Sequence, residues 1–154
     1  MERIGDIGKI REACLNDFKD IHECNIRNLP IYYSVLELVN MWFSKYFHII
    51  VLDINHKICG YAIYNVKDTN NYQLISIAID KQYRNMGYGT KLLNYIKVLD
   101  SNCKQVSLKV SVINNNAINC YKKNGFVIIE EIKNYYETLP GNKNAFTMTK
   151  DYLS

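Results

Sequence analysis

The chain has 154 residues, of which 48% are hydrophobic and 22% charged, and it carries a formal net charge of +4. This length fits a single domain over residues 1–154, the composition excludes disorder as the main state, and the weak positive charge without a dense run of Lys or Arg argues against a nucleic-acid partner. No apolar run approaches the roughly 20 residues that span a bilayer, and the residues up to Ala13 contain no signal-peptide stretch, so neither a membrane partner nor secretion is expected.

Hydrophobic periodicity predicts two helices and four strands in the first half of the chain. In chain order they are a strand over 8–13, helices over 15–27 and 34–44, and strands over 48–53, 58–66 and 72–79. Because residues 54–57 have the character of a turn, the strands on either side of them are predicted to form an antiparallel hairpin. The apolar stripe of the second helix consists of Val35, Leu38, Val39 and Trp42.

The second half of the chain continues the alternation of helices and strands. Its predicted elements are a helix over 92–99, a strand over 105–112, a helix over 115–124 that ends at Gly125, and strands over 126–132 and 145–148. The order β-α-α-β-β-β-α-β-α-β-β predicts an α/β fold of three layers around a mixed, largely antiparallel sheet.

A glycine-bearing loop follows the strand over 72–79 and opens the next helix. Gly87 and Gly89 lack a Cβ and let the backbone approach a ligand, and the backbone N–H groups at the start of a helix attract an anion. With Arg84 beside them, the segment predicts a phosphate or pyrophosphate site, although a plain strand-to-helix turn explains the two glycines as well. A P-loop is excluded because G-x-x-x-x-G-K-[ST] is absent, and a dinucleotide fingerprint because Leu92 stands where the third glycine belongs.

A second segment downstream decides between these interpretations. The loop fits the pattern R/Q-x-x-G-x-G/A, and the downstream segment fits N-x-x-A-x-x-x-Y-x-x-x-G-F. The matching residues are Arg84, Gly87 and Gly89 in the first and Asn114, Ala117, Tyr121, Gly125 and Phe126 in the second. Together the two segments resemble the GNAT superfamily of acetyl-CoA-dependent N-acyltransferases.

This resemblance implies a GNAT-type fold, with a mixed, mostly antiparallel seven-stranded sheet flanked by about four helices, and acetyl-CoA as cosubstrate without a metal. It implies that Tyr121 contacts the cofactor near the thioester sulfur and protonates the leaving thiolate, while a plain core position on an amphipathic helix is the alternative for this residue. The other cofactor-binding residues that it implies are Ile77, Ala78 and Ile79 for the pantetheine arm, Arg84, Asn85, Met86, Gly87, Tyr88, Gly89 and Thr90 for the pyrophosphate, and Asn114.

Two further segments resemble N-terminal (Nα) protein acetyltransferases, including the type that acetylates a ribosomal-protein alanine. Residues 24–33 look like the peptide-binding loop of these enzymes, and residues 133–136 look like the start of their second substrate loop. The resemblance implies a protein or peptide N terminus as substrate, with an auxiliary ribosome-anchoring subunit as a further partner. The substrate-binding residues that it implies are Leu29, Pro30, Ile31, Tyr33, Ile75, Tyr135 and Tyr136.

Two positions depart from the pattern of the family and are weak catalytic candidates. Lys109 stands where relatives often have a Glu or His that deprotonates the amine, and Gln73 stands where they often have a Tyr or His. A solvated lysine on the polar face of its strand explains Lys109 equally well. Near pH 7.4 about a quarter of an α-amine is neutral but only about 0.1% of a lysine amine, so acetylating lysine without a base costs about 4 kcal/mol, and an α-amine tolerates the missing base far better. Tyr72, Tyr33 or a chain of waters are the candidates for relaying the proton.

Substrate preference and compartment are the remaining expectations. Ile31 stands where some relatives that prefer small first residues carry an acidic residue, which predicts Met or another apolar first residue. Acetylation of a small-molecule amine is the alternative activity, and a catalytically weak CoA-binding subunit is the alternative from another class. The five cysteines include no C-x-x-C pair, which argues against a disulfide framework and a zinc site and indicates a reducing, cytoplasmic compartment.

Overall fold

One seven-stranded sheet organises the part of the chain that the computed structural model describes, residues 8–152. The strands are β1 (Lys9–Glu12), β2 (Phe47–Ile54), β3 (Lys57–Asp68), β4 (Asn71–Ile79), β5 (Gln105–Ser111), β6 (Val127–Ile132) and β7 (Ala145–Asp151). Their order in the sheet is β1-β2-β3-β4-β5-β7-β6. Only β4 and β5 pair in parallel among these strands, and the other neighbours are antiparallel, which confirms the predicted mixed sheet.

Helices cover both faces of the sheet and complete the three predicted layers. They are α1 (Phe18–Asn28), α2 (Val35–Phe43), α3 (Tyr88–Asn94), α4 (Ile96–Leu99) and α5 (Asn115–Lys123). Ile21 of α1 and Leu38 of α2 share one buried cluster with the sheet, whereas Leu92 of α3 and Ile118 of α5 belong to another. No helix within residues 8–152 is long and apolar enough to cross a membrane.

The hairpin between β2 and β3 follows from its turn residues. Asn55 and His56 both have positive φ, at 53° and 67°, as a tight two-residue connection requires. The second helix begins with a capping box, in which the Ser34 hydroxyl accepts from the Glu37 N–H and the Glu37 carboxylate accepts from the Ser34 N–H. On its predicted apolar stripe only Leu38 is fully buried, and Trp42 stays partly exposed while its Nε1 donates to the Ala13 carbonyl at 3.0 Å.

The helix predicted over 92–99 differs from the observed one, because it begins at Tyr88 and is interrupted at Tyr95. A buried hydroxyl accounts for the interruption. Tyr64 of β3 donates to the carbonyl oxygens of Leu92 and Leu93, at 3.2 and 3.1 Å. Both carbonyls therefore bond outside the helix at the point where α3 ends and α4 begins.

Replacing Tyr64 with Phe is expected to lower the free energy of unfolding by about 1–2 kcal/mol, because two buried carbonyls lose the hydroxyl donor while the ring still fills its site. The Leu92 carbonyl keeps a backbone partner, the Tyr95 N–H. Urea unfolding followed by circular dichroism measures this as a lower midpoint at an unchanged slope. Tyr46→Phe, at an exposed position, is the matched control, with an expected change below about 0.5 kcal/mol. Equal midpoints for the two variants would contradict this account of the break.

Candidate active site

The site is an opening between two neighbouring strands, β4 and β5. They pair in parallel only over residues 71–74 and 105–108. Beyond that point β4 continues along β3 and β5 continues along β7, so the two strands separate. On the side of β4 that faces this opening, alternate backbone groups over residues 75–79 have no strand partner within the described chain.

A β-bulge at Ile75 lies where the strands begin to separate. Ser76 pairs with Ile63 of β3 and Leu74 with Tyr64, so Ile75 has no residue opposite it. The extra residue reverses the side-chain alternation along β4. Leu74 packs in the buried cluster that contains α3, and Ile75 packs in the cluster that contains α1. After the bulge Ile77 packs on the α3 side again, three residues from Leu74 instead of two or four.

The loop after β4 turns on residues with a left-handed backbone. Asn85 and Gly87 have φ of 62° and 86°, and α3 begins at the next residue. The positive φ of Gly87 favours glycine at this position. Packing does not, since a Cβ there would meet nothing within 4 Å. A Cβ on Gly89 would lie 3.6 Å from Ile79 Cδ1, an ordinary contact, so packing within the chain does not require a glycine at position 89.

Arg84 ties this loop to α1. Its Nε donates to the Ile79 carbonyl at 2.8 Å, and its Nη2 donates to Asn28 Oδ1 at 2.9 Å. Asp80, only 5% exposed, accepts from both Arg27 (3.1 and 2.9 Å) and Asn28 (2.8 Å). The sequence analysis did not identify Arg27, Asn28 and Asp80, because pairs more than 50 residues apart leave no local pattern.

The other predicted loop residues lie at the surface or near it. Met86 and Thr90 are exposed, and the Tyr88 hydroxyl accepts from the Gly8 N–H at 3.1 Å. Asn114, exposed at the start of α5, is its N-cap, and its Oδ1 accepts from the Ala117 N–H at 3.2 Å. This capping bond gives Asn114 a structural role whether or not it contacts a ligand.

Tyr121 projects from α5 with a hydroxyl that bonds to no residue within 8–152. Its ring packs edge-on against Phe126, with centroids 5.8 Å apart. Burial raises the pKa of Tyr121, and the neighbouring Cys120 and Tyr136 raise it further. The phenol is therefore neutral and can donate a hydrogen bond.

Three tyrosines and Lys109 gather on the α1 side of the opening. The rings of Tyr135 and Tyr136 are perpendicular, with centroids 4.9 Å apart, and the Lys109 ammonium lies 5.9 Å from the Tyr135 ring. Burial raises the pKa of Tyr33, as do Glu37 and Tyr135. Burial also raises the pKa of Tyr136 to about 12, with contributions from Tyr135 and Tyr33.

The remaining substrate candidates fall into two groups. Leu29 and Ile75 are partly buried in the cluster beneath α1, together with Tyr33. Pro30 is exposed and Ile31 is 43% exposed, so these two side chains line the surface rather than the core.

The two weak catalytic candidates, Gln73 and Lys109, lie on the α1 side of the sheet. Gln73 of β4 is opposite Ser107 of β5, so by strand alternation Lys109 falls on the same face. Tyr72 faces the other way, and its hydroxyl donates to Asp100 Oδ2 at 2.7 Å. Of the two tyrosines considered as proton relays, only Tyr33 lies on the α1 side. No group of three or more His, Cys, Asp or Glu able to hold a metal occurs within residues 8–152.

The sequence analysis also did not identify Asn25, a buried polar residue of α1. Asn25 is 1% exposed and bonds to Tyr61 of β3, which in turn bonds to Ser76 of β4. A signal for it exists in the sequence, because Asn25 follows Ile21 by four positions and so falls on the buried face of its helix.

Comparisons with known proteins agree with this geometry. The model of the Acetyltransferase (GNAT) family matches residues 13–126. An N-alpha-acetyltransferase of Sulfurisphaera tokodaii is 32% identical over 145 residues, covering 83% of this chain and 85% of the relative. The structure of Ard1 from Thermoplasma volcanium has a TM-score of 0.83 at 27% identity, covering 96% of this chain and 99% of that one. Arabidopsis thaliana Naa50, solved with the bisubstrate analogue CoA-Ac-MVNAL, has a TM-score of 0.78 at 20% identity and covers 94% and 99%.

Gly87→Ala is expected to weaken CoA binding by about tenfold, since a side chain at this positive φ costs about 1–2 kcal/mol and displaces the loop. Isothermal titration calorimetry with CoA measures the change. Gly125→Ala is the matched control, because φ is +93° at that helix end and the same strain arises away from the loop. We expect it to lower stability with unchanged CoA affinity, and wild-type affinity in Gly87→Ala would count against a ligand role for the loop.

Proposed function

Because the chain belongs to the GNAT acetyltransferase family, we propose that it transfers an acetyl group from acetyl-CoA to the N-terminal α-amine of proteins or peptides. The observation that carries this proposal is the opening between β4 and β5, which has a neutral phenol at its α5 side and a tyrosine cluster at its α1 side. We also propose that residues 1–154 form one acetyltransferase domain, as the continuous sheet suggests.

The proposed cofactor site uses backbone more than side chains. The unpaired edge of β4 at Ile77, Ala78 and Ile79 offers hydrogen bonds to the amides of a pantetheine arm. The loop over 84–90 would bind the pyrophosphate through its N–H groups, with Gly89 leaving room that the fold itself does not need. Asn114 would contact the cofactor from the start of α5. These residues fit acetyl-CoA without a metal.

Tyr121 is the proposed general acid. Acetyl-CoA supplies the acetyl group as a thioester, whose thiolate leaving group is protonated on departure. Because burial keeps the Tyr121 phenol neutral and no described residue occupies its hydroxyl, Tyr121 is suited to give that proton.

The acceptor side fits an amine that arrives uncharged. Tyr33, Tyr135 and Tyr136 would hold the peptide backbone, with Leu29, Pro30, Ile31 and Ile75 around the first side chain. Neither Gln73 nor the Lys109 ammonium provides a base there, and the positive charge of Lys109 disfavours cationic amines such as polyamines and lysine. An α-amine, with an ordinary pKa of about 7.7–8.0, meets this condition near neutral pH.

The preference for Met or another apolar first residue is part of the proposal and rests on Ile31, whose branched side chain replaces an acidic one of some relatives. The free thiols of all five cysteines are consistent with a reducing compartment, for which we propose the cytoplasm. An auxiliary ribosome-anchoring subunit is proposed from the family resemblance alone.

A mass-resolved acetyl-transfer assay tests the acceptor class. The purified chain is incubated with acetyl-CoA and peptides that vary at the first two residues, with spermidine and with lysine peptides whose N termini are blocked. We expect acetylation confined to free α-amines, fastest on Met or other apolar first residues. Acetylation of spermidine or lysine alone would overturn the proposal, and bound CoA with no transfer would point to the missing auxiliary subunit or a binding role.

Tyr121→Phe is expected to lower kcat by about 100-fold with little change in CoA affinity, because only the proton donor is lost. Steady-state kinetics and calorimetry separate the two quantities. The control is Tyr95→Phe, at a partly buried tyrosine of the same core cluster, with near wild-type kcat. Unchanged kcat in Tyr121→Phe would assign the acid role to another group.

The rate should rise with pH through the pKa of the acceptor α-amine and then stay level to about pH 10. Burial raises the pKa of Tyr121, so its acid form persists at alkaline pH instead of being lost near the ordinary value of about 10. A decline of kcat between pH 8 and about 9.5, measured on the folded enzyme, would contradict this assignment.

A further inference from the structure

One buried side-chain amide holds the segment over residues 29–33, which we name the acceptor loop. Asn25 Nδ2 donates to the Ile31 carbonyl at 3.1 Å and to the Tyr61 hydroxyl at 2.9 Å, and Oδ1 accepts from the Tyr33 N–H at 2.8 Å. A carbonyl can only accept and an N–H can only donate, so these partners fix the orientation of the amide. Both protons of Nδ2 and the oxygen of Asn25 are thus in use.

The same network reaches the strand that borders the opening. The Tyr61 hydroxyl and Ser76 Oγ are 2.7 Å apart, and Ser76 is the residue of β4 that follows the bulge. On the other side, His22 Nδ1 bonds to the Tyr33 carbonyl at 2.7 Å. The acceptor loop is therefore tied by its backbone to α1 directly and, through Asn25 and Tyr61, to β4.

Side-chain packing alone does not hold this loop in place. Pro30 and Tyr32 are exposed, and Ile31 is 43% exposed. The fixed points are instead the backbone groups on either side of Tyr32, and Asn25 supplies a partner to both. Because Asn25 is fully buried, water does not reach its amide to replace these hydrogen bonds.

We propose that Asn25 is a positioning residue for the acceptor substrate, which sets the distance and register of the acceptor loop relative to β4. This inference rests on the proposed function of the site. Asn25 does not touch the reacting atoms, and it acts through Ile31 and Tyr33 on one side and through Tyr61 and Ser76 on the other. Its loss therefore affects the acceptor and leaves cofactor binding intact.

Asn25→Asp is the sharpest variant, because it keeps the shape and the acceptor for the Tyr33 N–H but replaces Nδ2, the donor to the Ile31 carbonyl and the Tyr61 hydroxyl, with an oxygen. We expect KM for the preferred peptide to rise about tenfold and the ratio of kcat/KM between preferred and poor first residues to fall severalfold, with unchanged CoA affinity. Hydrogen exchange over residues 29–33 should become faster. Asn40→Asp makes the same chemical change at an exposed site on α2 and should leave all of these quantities at wild-type values.

Tyr61→Phe keeps the ring and removes only the hydroxyl between Asn25 and Ser76, so it tests the network if Asn25→Asp does not fold. It should give a smaller rise in peptide KM, about threefold, and faster exchange in the loop. Wild-type peptide KM and loop exchange in a folded variant would overturn the positioning role. A parallel loss of CoA affinity and kcat would overturn it too, because that marks general destabilisation.

Failure of the proposed function gives a different result. If the wild-type chain acetylates only a small amine, KM for that amine and loop exchange are compared between wild type and Asn25→Asp. A change in both would retain the positioning role for another acceptor, and no change would reject it. If no amine is acetylated, loop exchange alone decides, since it requires no turnover.

Discussion

The separation of β4 from β5 is the constraint on which the site depends. Each strand keeps its outer neighbour, so the sheet stays continuous at its base and opens only above Leu74 and Leu108. An unpaired strand edge inside a sheet leaves backbone donors and acceptors that must bond elsewhere. The same opening therefore creates a polar edge that is available to a ligand. The bulge at Ile75 reverses the side-chain alternation of β4, so that Ile77 lies on the same side of the sheet as Leu74.

Helix α1 connects the two loops that flank this opening. Asn28 bonds to Arg84 in the loop after β4, and Asn25 bonds to the backbone around Tyr32 in the loop after α1. Asn25 is buried between α1 and the sheet, so its amide depends on these partners for its hydrogen bonds. A rigid helix beneath two exposed loops explains how surface segments keep a defined spacing without extensive packing of their own.

Local patterns predicted most of the elements, and tertiary contacts account for what they missed. Alternation and helical spacing were sufficient for β5 and α5, and two motifs located the loop at Gly87 and the helix that carries Tyr121. The interruption at Tyr95 depends on a hydroxyl from β3, about 30 residues away, which no window of sequence contains. The bulge at Ile75 likewise depends on how β4 pairs with β3, which the sequence of β4 alone does not contain. Asn25 could have been found, since a polar residue on a buried helical face must have partners.

The electrostatics of the opening bear on the kind of amine that it can use. Burial raises the pKa values of Tyr33, Tyr121 and Tyr136, so all three are neutral phenols that donate hydrogen bonds but do not remove protons at physiological pH. A positive charge nearby is the Lys109 ammonium, 5.9 Å from the Tyr135 ring, which opposes a second cation, while Glu37 is the carboxylate that acts on Tyr33. A site with several donors and a fixed positive charge is matched to an acceptor that loses its proton before it binds. Among protein amines the α-amine does so at a cost about 3 kcal/mol lower than that of lysine. In the proposed function, Gln73 and Lys109 stand in place of a base on β4 and β5, and selectivity would come from the substrate's own pKa.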